Sequence, residues 1–204
     1  MKLFYAPGTC ALACWIAFEW AGADDYTVEK VVLGSKELYE VNPLGMVPAI
    51  KFENDEILTQ AGAILNFIAQ KYPSHNLGAD EDIMDIFKFN EIMDFLSADF
   101  HPAFWPMFSP NRFTTEDSKE AQDAVVEAAF KRIDIAMNHL DHLIGDTNHV
   151  YKDKRTVADA YAYVMALWSK MTPKSYTEYP NLARFMESMK EDSTVQQVIA
   201  ASKQ

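Results

Sequence analysis

The first part of the chain alternates between short apolar runs typical of strands and a segment with helical spacing. Residues 2–5 (KLFY) predict a strand that ends at Pro7-Gly8, and residues 10–21 predict a helix with Gly22 as its C-cap. Residues 26–33 (YTVEKVVL) are β-branched and aromatic, which favours a second strand. Since such crossovers are right-handed, the two strands are predicted to be parallel.

A hairpin and another helix complete this first unit. Residues 34–45 (GSKELYEVNPLG) are predicted to be irregular. Residues 47–52 and 57–58 flank a polar turn, which predicts two short paired strands, and residues 62–72 are predicted to be helical. The order βαβ then ββα is typical of a thioredoxin-like module, so we expect an α/β domain over residues 1–75.

The second half shows helical periodicity and no strand pattern. We expect a linker near residues 73–83 and an all-helical domain over residues 84–204. The clearest helix is predicted from Glu116 to Ile144, because its apolar residues recur at spacings of three and four. Thr156 and Asp159 precede an apolar run and predict a capping box, with Asp in place of the usual Glu, that stabilises the next helix by about 1 kcal/mol.

Composition narrows the function classes. The 204 residues are 49% hydrophobic, which is sufficient for a sizeable core, and the formal net charge is -12. Because no cluster of Lys and Arg is present, binding to nucleic acid or to an anionic membrane is not expected. No stretch approaches the length of a membrane span.

The apolar start of the chain has an alternative interpretation as a secretory signal, which needs an uninterrupted apolar segment. Pro7-Gly8 interrupts the run and Glu19 places a charge at its far end. We therefore expect a cytoplasmic protein.

The chain has two cysteines, Cys10 and Cys14, at a helical rather than a CxxC spacing. A redox protein that uses both thiols would contain a disulfide, which this spacing disfavours. Cys10 lies at the predicted start of the first helix, where the positive end of the helix dipole lowers a thiol pKa. The alternative for Cys10 is a small buried helix residue, and Cys14 is expected to fill the core.

Metal and nucleotide sites are not predicted. His139 and His142 lie three apart on one helix, but no third ligand is near in sequence. No GxGxxG, P-loop or HExxH motif occurs.

A set of short motifs, in order along nearly the whole chain, resembles one family. These motifs are Tyr5, Pro7-Gly8, Cys10, Asn42-Pro43, Val47-Pro48-Ala49, Leu58-Thr59-Gln60-Ala61 and Thr156-Val157-Ala158-Asp159. The chain resembles a cytosolic glutathione S-transferase, close to the bacterial beta class. The resemblance implies an N-terminal thioredoxin-like domain, an all-α C-terminal domain, glutathione as co-substrate, a hydrophobic electrophile as second substrate, and a homodimer.

The resemblance also assigns roles near the glutathione sulfur. It places Cys10 beside the sulfur, able to form a mixed disulfide, and His101 over it from the segment SADFHPAFWPMF. Tyr5 matches the position whose hydroxyl activates the thiol in other classes. The alternatives are a strand aromatic under the first helix for Tyr5 and a histidine at a helix end for His101.

Other positions would hold glutathione by the same resemblance. Val47 and Pro48 match a cis-proline turn that binds the cysteinyl backbone, Lys36 would meet the glycyl carboxylate, and Asp94 would reach the amine across a dimer interface. Gln60 and Ala61 match the γ-glutamyl site. Lys36 is equally well explained as a solvated surface residue.

Two departures from the family pattern lower the expected affinity for glutathione. Ala61 stands where the family commonly has serine, and Pro102 stands where lysine is frequent. The missing hydroxyl costs about 1 kcal/mol.

Aromatic residues are expected to line the electrophile pocket: Phe104, Trp105, Phe108 and Trp168, with Met107 beside them. The sequence thus predicts a glutathione transferase that directs the thiolate at a hydrophobic electrophile, with thiol–disulfide exchange through Cys10 as a second activity. The alternative is a non-catalytic dimeric binding module of the same fold, which Ala61 and Pro102 favour slightly.

Overall fold

The computed structural model describes all 204 residues of the chain. Its strands are β1 (Lys2–Tyr5), β2 (Thr27–Lys30), β3 (Ala49–Lys51) and β4 (Ile57–Thr59). Its α-helices are α1 (Ala11–Trp20), α2 (Lys36–Val41), α3 (Ala61–Lys71), α4 (Ile83–Asp94), α5 (His101–Ala103), α6 (Trp105–Phe108), α7 (Lys119–Ile144), α8 (Val157–Ala166), α9 (Pro180–Glu191) and α10 (Ser193–Ala201).

The four strands form one mixed sheet in the order β2-β1-β3-β4. β1 pairs with β2 in parallel and with β3 antiparallel, so that Leu3 lies between Val28 and Ile50, and β3 pairs with β4 as a hairpin. The predicted topology is confirmed. β2 ends at Lys30, earlier than predicted, because β1 ends at Tyr5 and offers no further partner.

The segment 34–45, predicted to be irregular, contains the helix α2. The Ser35 hydroxyl caps this helix by accepting a hydrogen bond from the Leu38 N–H at 3.2 Å. Leu38 is its one buried side chain. A helix of six residues with a single apolar anchor leaves no periodicity to detect, which explains why the prediction was wrong here.

Helix α1 is apolar on all sides and nine of its ten residues are buried. It packs against α3, α8, α10 and β1. Such a helix has to lie in the interior, because Glu19 is its one exposed residue and the other nine are apolar. Its ends differ from the predicted ones by one residue, since Cys10 and Ala21 are the capping residues.

From Ile83 onward the chain contains helices and no strand, as predicted. The long helix α7 begins at Lys119, three residues later than expected, because Ser118 caps it by accepting from the Ala121 N–H at 3.2 Å. The buried face of α7 follows the predicted spacing, with Ala129, Ile133, Ala136, Met137, Leu140 and Ile144. None of the helices has both the length and the apolar character needed to cross a bilayer.

Between α4 and α5 the helix widens into a π-helical stretch, Phe95–Phe100. The N–H of His101 donates to the Leu96 carbonyl, five residues back. Pro102 follows directly; it has no N–H, and its ring crowds the carbonyl four residues earlier, which disfavours regular α geometry at this point. The sequence signal for this wide turn was Pro102.

The sheet unit and the helical unit are joined by direct hydrogen bonds. The Trp168 Nε1–H donates to the Gly8 carbonyl at 2.8 Å, and the Val157 N–H donates to the Leu77 carbonyl at 2.9 Å. The last helix of the sheet unit ends at Lys71 and α4 begins at Ile83. Domain boundaries of 1–75 and 84–204 are therefore proposed.

The predicted capping box at the start of α8 is present. Asp159 is completely buried, and its carboxylate accepts from the Thr156 N–H at 2.6 Å and from the Val150 N–H at 2.7 Å. One side chain thus fixes both the start of α8 and the loop before it.

We expect Asp159→Ala to lower the free energy of unfolding by about 3 kcal/mol, because two buried N–H groups lose their acceptor. Urea unfolding followed by circular dichroism measures this. The matched control is Asp123→Ala, which removes an exposed carboxylate paired with Lys119 and should cost less than about 0.5 kcal/mol. Equal losses in the two variants would contradict the structural role of Asp159.

Candidate functional site

Two adjoining cavities open where the sheet unit meets the helical unit. The first, of about 360 Å³, is mostly bounded by the loop before β3, the start of α3 and the π-helical region. The second, of about 480 Å³, lies over the start of α1 and is bounded by α6 and the segment after α8. Five residues line both cavities: Cys10, Met46, Val47, His101 and Trp105.

Cys10 stands at the N-terminus of α1, at the junction of the cavities. Its Sγ donates to the Val47 carbonyl at 3.5 Å, and the side chain is 6% exposed. Burial raises the pKa of the Cys10 thiol to about 12, although the N–H groups of Cys10 and Ala11 act in the opposite direction. The expected low pKa is therefore wrong, because desolvation of the thiolate outweighs the helix N-terminus.

The turn before β3 presents backbone groups to the first cavity. The Asn42 side chain is buried and holds this turn, since its amide donates to the Met46 carbonyl at 2.7 Å and its oxygen accepts from the Leu44 N–H at 3.1 Å. The Val47-Pro48 peptide is cis, as the resemblance implied. The Val47 N–H makes no hydrogen bond within the chain and is free to bind a ligand.

The N-terminus of α3 forms another wall of the first cavity. Gln60 precedes this helix with φ of 74°, a conformation that is costly for a residue with a side chain, and Ala61 is its first residue. The N–H groups at the start of any helix lack partners within the helix and attract anions. The site therefore contains a strained backbone position next to a set of free donors.

His101 lies between the cavities, and burial lowers its pKa to about 4. Its ring is neutral at neutral pH. Nδ1 lies 3.0 Å from the Tyr161 hydroxyl, whose own pKa is raised by burial. If the hydroxyl donates to Nδ1, the ring proton resides on Nε2, which hydrogen-bonds no residue of the chain.

The second cavity has an aromatic wall. Trp105, Phe108 and Trp168 line it, and the rings of Phe108 and Trp168 meet edge to face at 5.2 Å. The His101 ring lies 5.2 Å from that of Trp168. These rings give the second cavity an aromatic wall next to Cys10 and His101.

Comparison with known proteins gives the family. Residues 8–71 match the model of the glutathione S-transferase N-terminal domain, and residues 92–192 match that of the C-terminal domain. Glutathione S-transferase GstA of Escherichia coli O157:H7 is 30% identical over 207 residues, covering 98% of both chains. The chain belongs to the glutathione S-transferase family.

Solved structures agree with this assignment. A bacterial beta class glutathione S-transferase of Sphingomonas chungbukensis is 31% identical, with a TM-score of 0.85 over 99% of this chain and 98% of that one. A sphingomonad glutathione S-transferase complexed with glutathione is also 31% identical, with a TM-score of 0.85 over 100% and 99%. The predicted family and fold are confirmed, and the chain is a glutathione transferase.

Most of the predicted site residues of this transferase come together. The first cavity is lined by Cys10, Val47, Pro48, Gln60, Ala61, Asp94 and His101. Asp94 is the one charged side chain among its lining residues. In the second cavity the predicted Trp105, Phe108 and Trp168 are present, while Phe104 is completely buried behind Trp168 at a ring distance of 5.4 Å.

Like Phe104, two further predicted residues line neither cavity. Tyr5 is buried under α1 with its ring 4.9 Å from that of Trp15, and it lines neither cavity. Its placement matches the alternative of a strand aromatic. The Lys36 side chain is 87% exposed and pairs with Glu40 at 3.8 Å, so it is a solvated surface lysine in this structure.

Tyr161 is the site residue that the sequence did not reveal. It belongs to the buried helix α8 and looks like one more aromatic in an apolar run. The available signal was its hydroxyl, because a buried tyrosine needs a hydrogen-bond partner. No group of three His, Cys, Asp or Glu side chains is arranged to hold a metal, and Cys10 and Cys14 are free thiols.

We expect the neutral state of His101 to make stability fall as the pH is lowered. The folded pKa is about 4 and the ordinary value is 6.5, so the unfolded chain takes up the proton first as the pH falls below 6.5. Between about pH 7.5 and about pH 5 this contributes a loss of about 2 kcal/mol. Urea unfolding of the wild type and of His101→Gln at both pH values measures this loss of unfolding free energy. The variant should lack the part of the loss that comes from His101. Parallel pH profiles for both proteins would show that the ring titrates normally.

Proposed function

We propose that this transferase binds glutathione in the first cavity and transfers its sulfur to a hydrophobic electrophile in the second. The observation that carries the proposal is that both cavities are bounded by Cys10, Val47 and His101. A sulfur held at this junction faces the aromatic wall of the second cavity. The geometry supplies proximity between the thiol and its acceptor.

The first cavity has partners for the cysteinyl and γ-glutamyl parts of the tripeptide that it would hold. The free N–H and the carbonyl of Val47 pair with the cysteinyl backbone in the manner of an added strand. The N-terminus of α3 receives the γ-glutamyl carboxylate, and Asp94 attracts the γ-glutamyl ammonium. Ala61 still offers its N–H, although it lacks the hydroxyl common in the family.

Cys10 acts as a hydrogen-bond donor to the glutathione sulfur in this proposal. A thiol with a pKa near 12 stays protonated at neutral pH. When the cysteinyl N–H of glutathione takes the Val47 carbonyl, the Cys10 S–H turns to the bound sulfur. The Nε2–H of His101 is the second donor, and two donors aimed at one sulfur favour its thiolate.

The reaction is a nucleophilic displacement on an activated ring or another electrophilic carbon. The thiol proton of glutathione passes to solvent, the sulfur forms a bond to the carbon, and the leaving group departs with its electron pair. Thiol–disulfide exchange through Cys10 is the second candidate from the sequence. The raised pKa of Cys10 disfavours it, since exchange needs a thiolate. A non-catalytic binding module does not account for two joined cavities with donors at their junction.

The test is conjugation of glutathione to chlorodinitrobenzene together with calorimetric titration of glutathione. We expect wild-type turnover, a decrease in kcat/KM of about tenfold in Cys10→Ala, and a decrease within about threefold in Cys10→Ser, which keeps a donor. The matched control is Cys14→Ala, one turn further along α1 and outside both cavities.

Two results would contradict this assignment. Absence of both glutathione binding and turnover would exclude the transferase function. Thiol–disulfide exchange would be favoured by two observations together. Cys10→Ser would lose as much activity as Cys10→Ala, and mass spectrometry would find one equivalent of glutathione attached to wild-type Cys10.

We also propose that the chain forms a homodimer through α4. Three apolar side chains on this helix are strongly exposed: Ile83 (72%), Met84 (55%) and Phe87 (59%). Phe87 lies four residues after Ile83 and three after Met84, so the three side chains border one face. An exposed apolar stripe of this kind favours burial against a second copy. Asp94, at the end of the same helix, would then lie near the interface; in this proposal it meets the glutathione ammonium of its own subunit, not that of the partner as the resemblance implied.

We expect Phe87→Glu to convert the dimer into monomers, because it places a charge in the apolar stripe. Light scattering coupled to size-exclusion chromatography measures the mass. Lys203→Glu, at an exposed position just after α10, is the control and should leave the mass unchanged. A monomeric wild type would refute the proposal.

A further inference from the structure

The charge distribution in the second cavity is unusual for a site that takes apolar molecules. Among its lining residues Arg112 is the one charged side chain, because His101 is neutral. No aspartate or glutamate lines this cavity. Arg112 is an exposed residue, so its guanidinium is hydrated and accessible to a ligand.

Arg112 has no acidic partner. No carboxylate lies within 4.0 Å of its guanidinium, and the side chain makes no hydrogen bond within the chain. The chain carries 30 acidic and 18 basic residues, so acidic groups that could pair with an arginine are abundant. An unpaired guanidinium beside an apolar cavity in such a chain is free to bind an anion.

The backbone fixes the position of Arg112 relative to the aromatic wall. It closes a 3-10 turn, Pro110–Arg112, and its N–H donates to the Ser109 carbonyl at 3.1 Å. Ser109, which also lines the cavity, directly follows Phe108 at the end of α6. Arg112 therefore borders the same cavity as Phe108 and Trp168.

We propose that the acceptor taken by this cavity is an aromatic electrophile that carries a carboxylate. The ring lies against Trp105, Phe108 and Trp168, the reactive carbon faces the junction at Cys10, and the carboxylate pairs with Arg112. This inference rests on the proposed function and narrows its substrate class. A guanidinium matches a carboxylate with two parallel hydrogen bonds.

The net charge of the chain gives a reason for a positive side chain beside a cavity that binds a carboxylate. A formal charge of -12 disfavours the approach of an anion to the surface in general. Arg112 is the one positive charge among the residues that line this cavity. Arg112 does not line the first cavity, so its assigned ligand is the acceptor and not glutathione.

The test compares two acceptors that undergo the same displacement, chlorodinitrobenzene and its carboxylated analogue chlorodinitrobenzoate. The measured quantity is the ratio of kcat/KM for the benzoate to kcat/KM for the neutral ring, which cancels general damage to the site. We expect Arg112→Gln to lower this ratio about fivefold, the effect of one well-formed exposed ion pair. Arg112→Lys should retain part of the preference, because it keeps the charge and loses the planar fork.

The matched control is Arg132→Gln, which removes an exposed arginine of α7 that lines neither cavity and changes the net charge by the same amount. Its ratio should equal that of the wild type. A ratio that falls equally in both variants would assign the effect to overall charge. A rise in the KM for glutathione in Arg112→Gln, with an unchanged ratio, would assign Arg112 to glutathione. Either result overturns the inference.

A binding measurement separates this inference from the proposed function. Dinitrobenzoate and dinitrobenzene lack the leaving group, and their binding beside Trp105 and Trp168 can be followed by quenching of tryptophan fluorescence. We expect the wild type to bind the benzoate more tightly and Arg112→Gln to lose this difference. That result would support the anion site at Arg112 even if the protein showed no turnover. Equal quenching by both ligands in the wild type would overturn the anion site and leave the proposed conjugation reaction unaffected.

Discussion

The burial of helix α1 on all sides is the constraint on which the rest of the structure depends. Nine of its ten residues are apolar and buried, with Glu19 the exception, so the helix needs the sheet unit on one side and helices of the second unit on the other. Neither unit alone could cover it. The N-terminus of this shared helix emerges at the seam, and Cys10 caps it there. The site therefore lies between the units because the central helix belongs to both.

The chemistry at Cys10 follows from the competition between two electrostatic effects at that seam. The start of a helix favours a thiolate, and removal from water disfavours it. Burial prevails, so Cys10 remains a thiol. The same low-polarity surroundings keep the His101 ring uncharged. The junction therefore contains two neutral donors and no competing anion, an environment suited to stabilising a negative sulfur that a ligand brings with it.

The sequence was informative wherever one residue type has one physical role. Pro7-Gly8, Gly22 and the Thr156–Asp159 pair predicted where elements end or begin, and the periodicity of α7 predicted its buried face. It was uninformative about α2, whose single anchor leaves no period, and about the pKa of Cys10, which depends on burial by residues distant in sequence. Lys36 and Tyr5 match family positions, yet contacts with Glu40 and Trp15 determine where their side chains lie. Tyr161 was missed because its hydroxyl is part of the site only through its contact with His101, which is 60 residues away in sequence.

Trp168 has two duties that cannot be altered separately. The face of its indole forms part of the aromatic wall, while its Nε1–H holds the Gly8 carbonyl, two residues before Cys10. A substitution chosen to reshape the acceptor side would also release the loop that carries the thiol. Variation in substrate preference is therefore easier to achieve at Phe108 or Met171, which border the same space without a hydrogen-bond tie to that loop. The Trp168 indole therefore links the choice of acceptor substrate to the position of the Cys10 thiol.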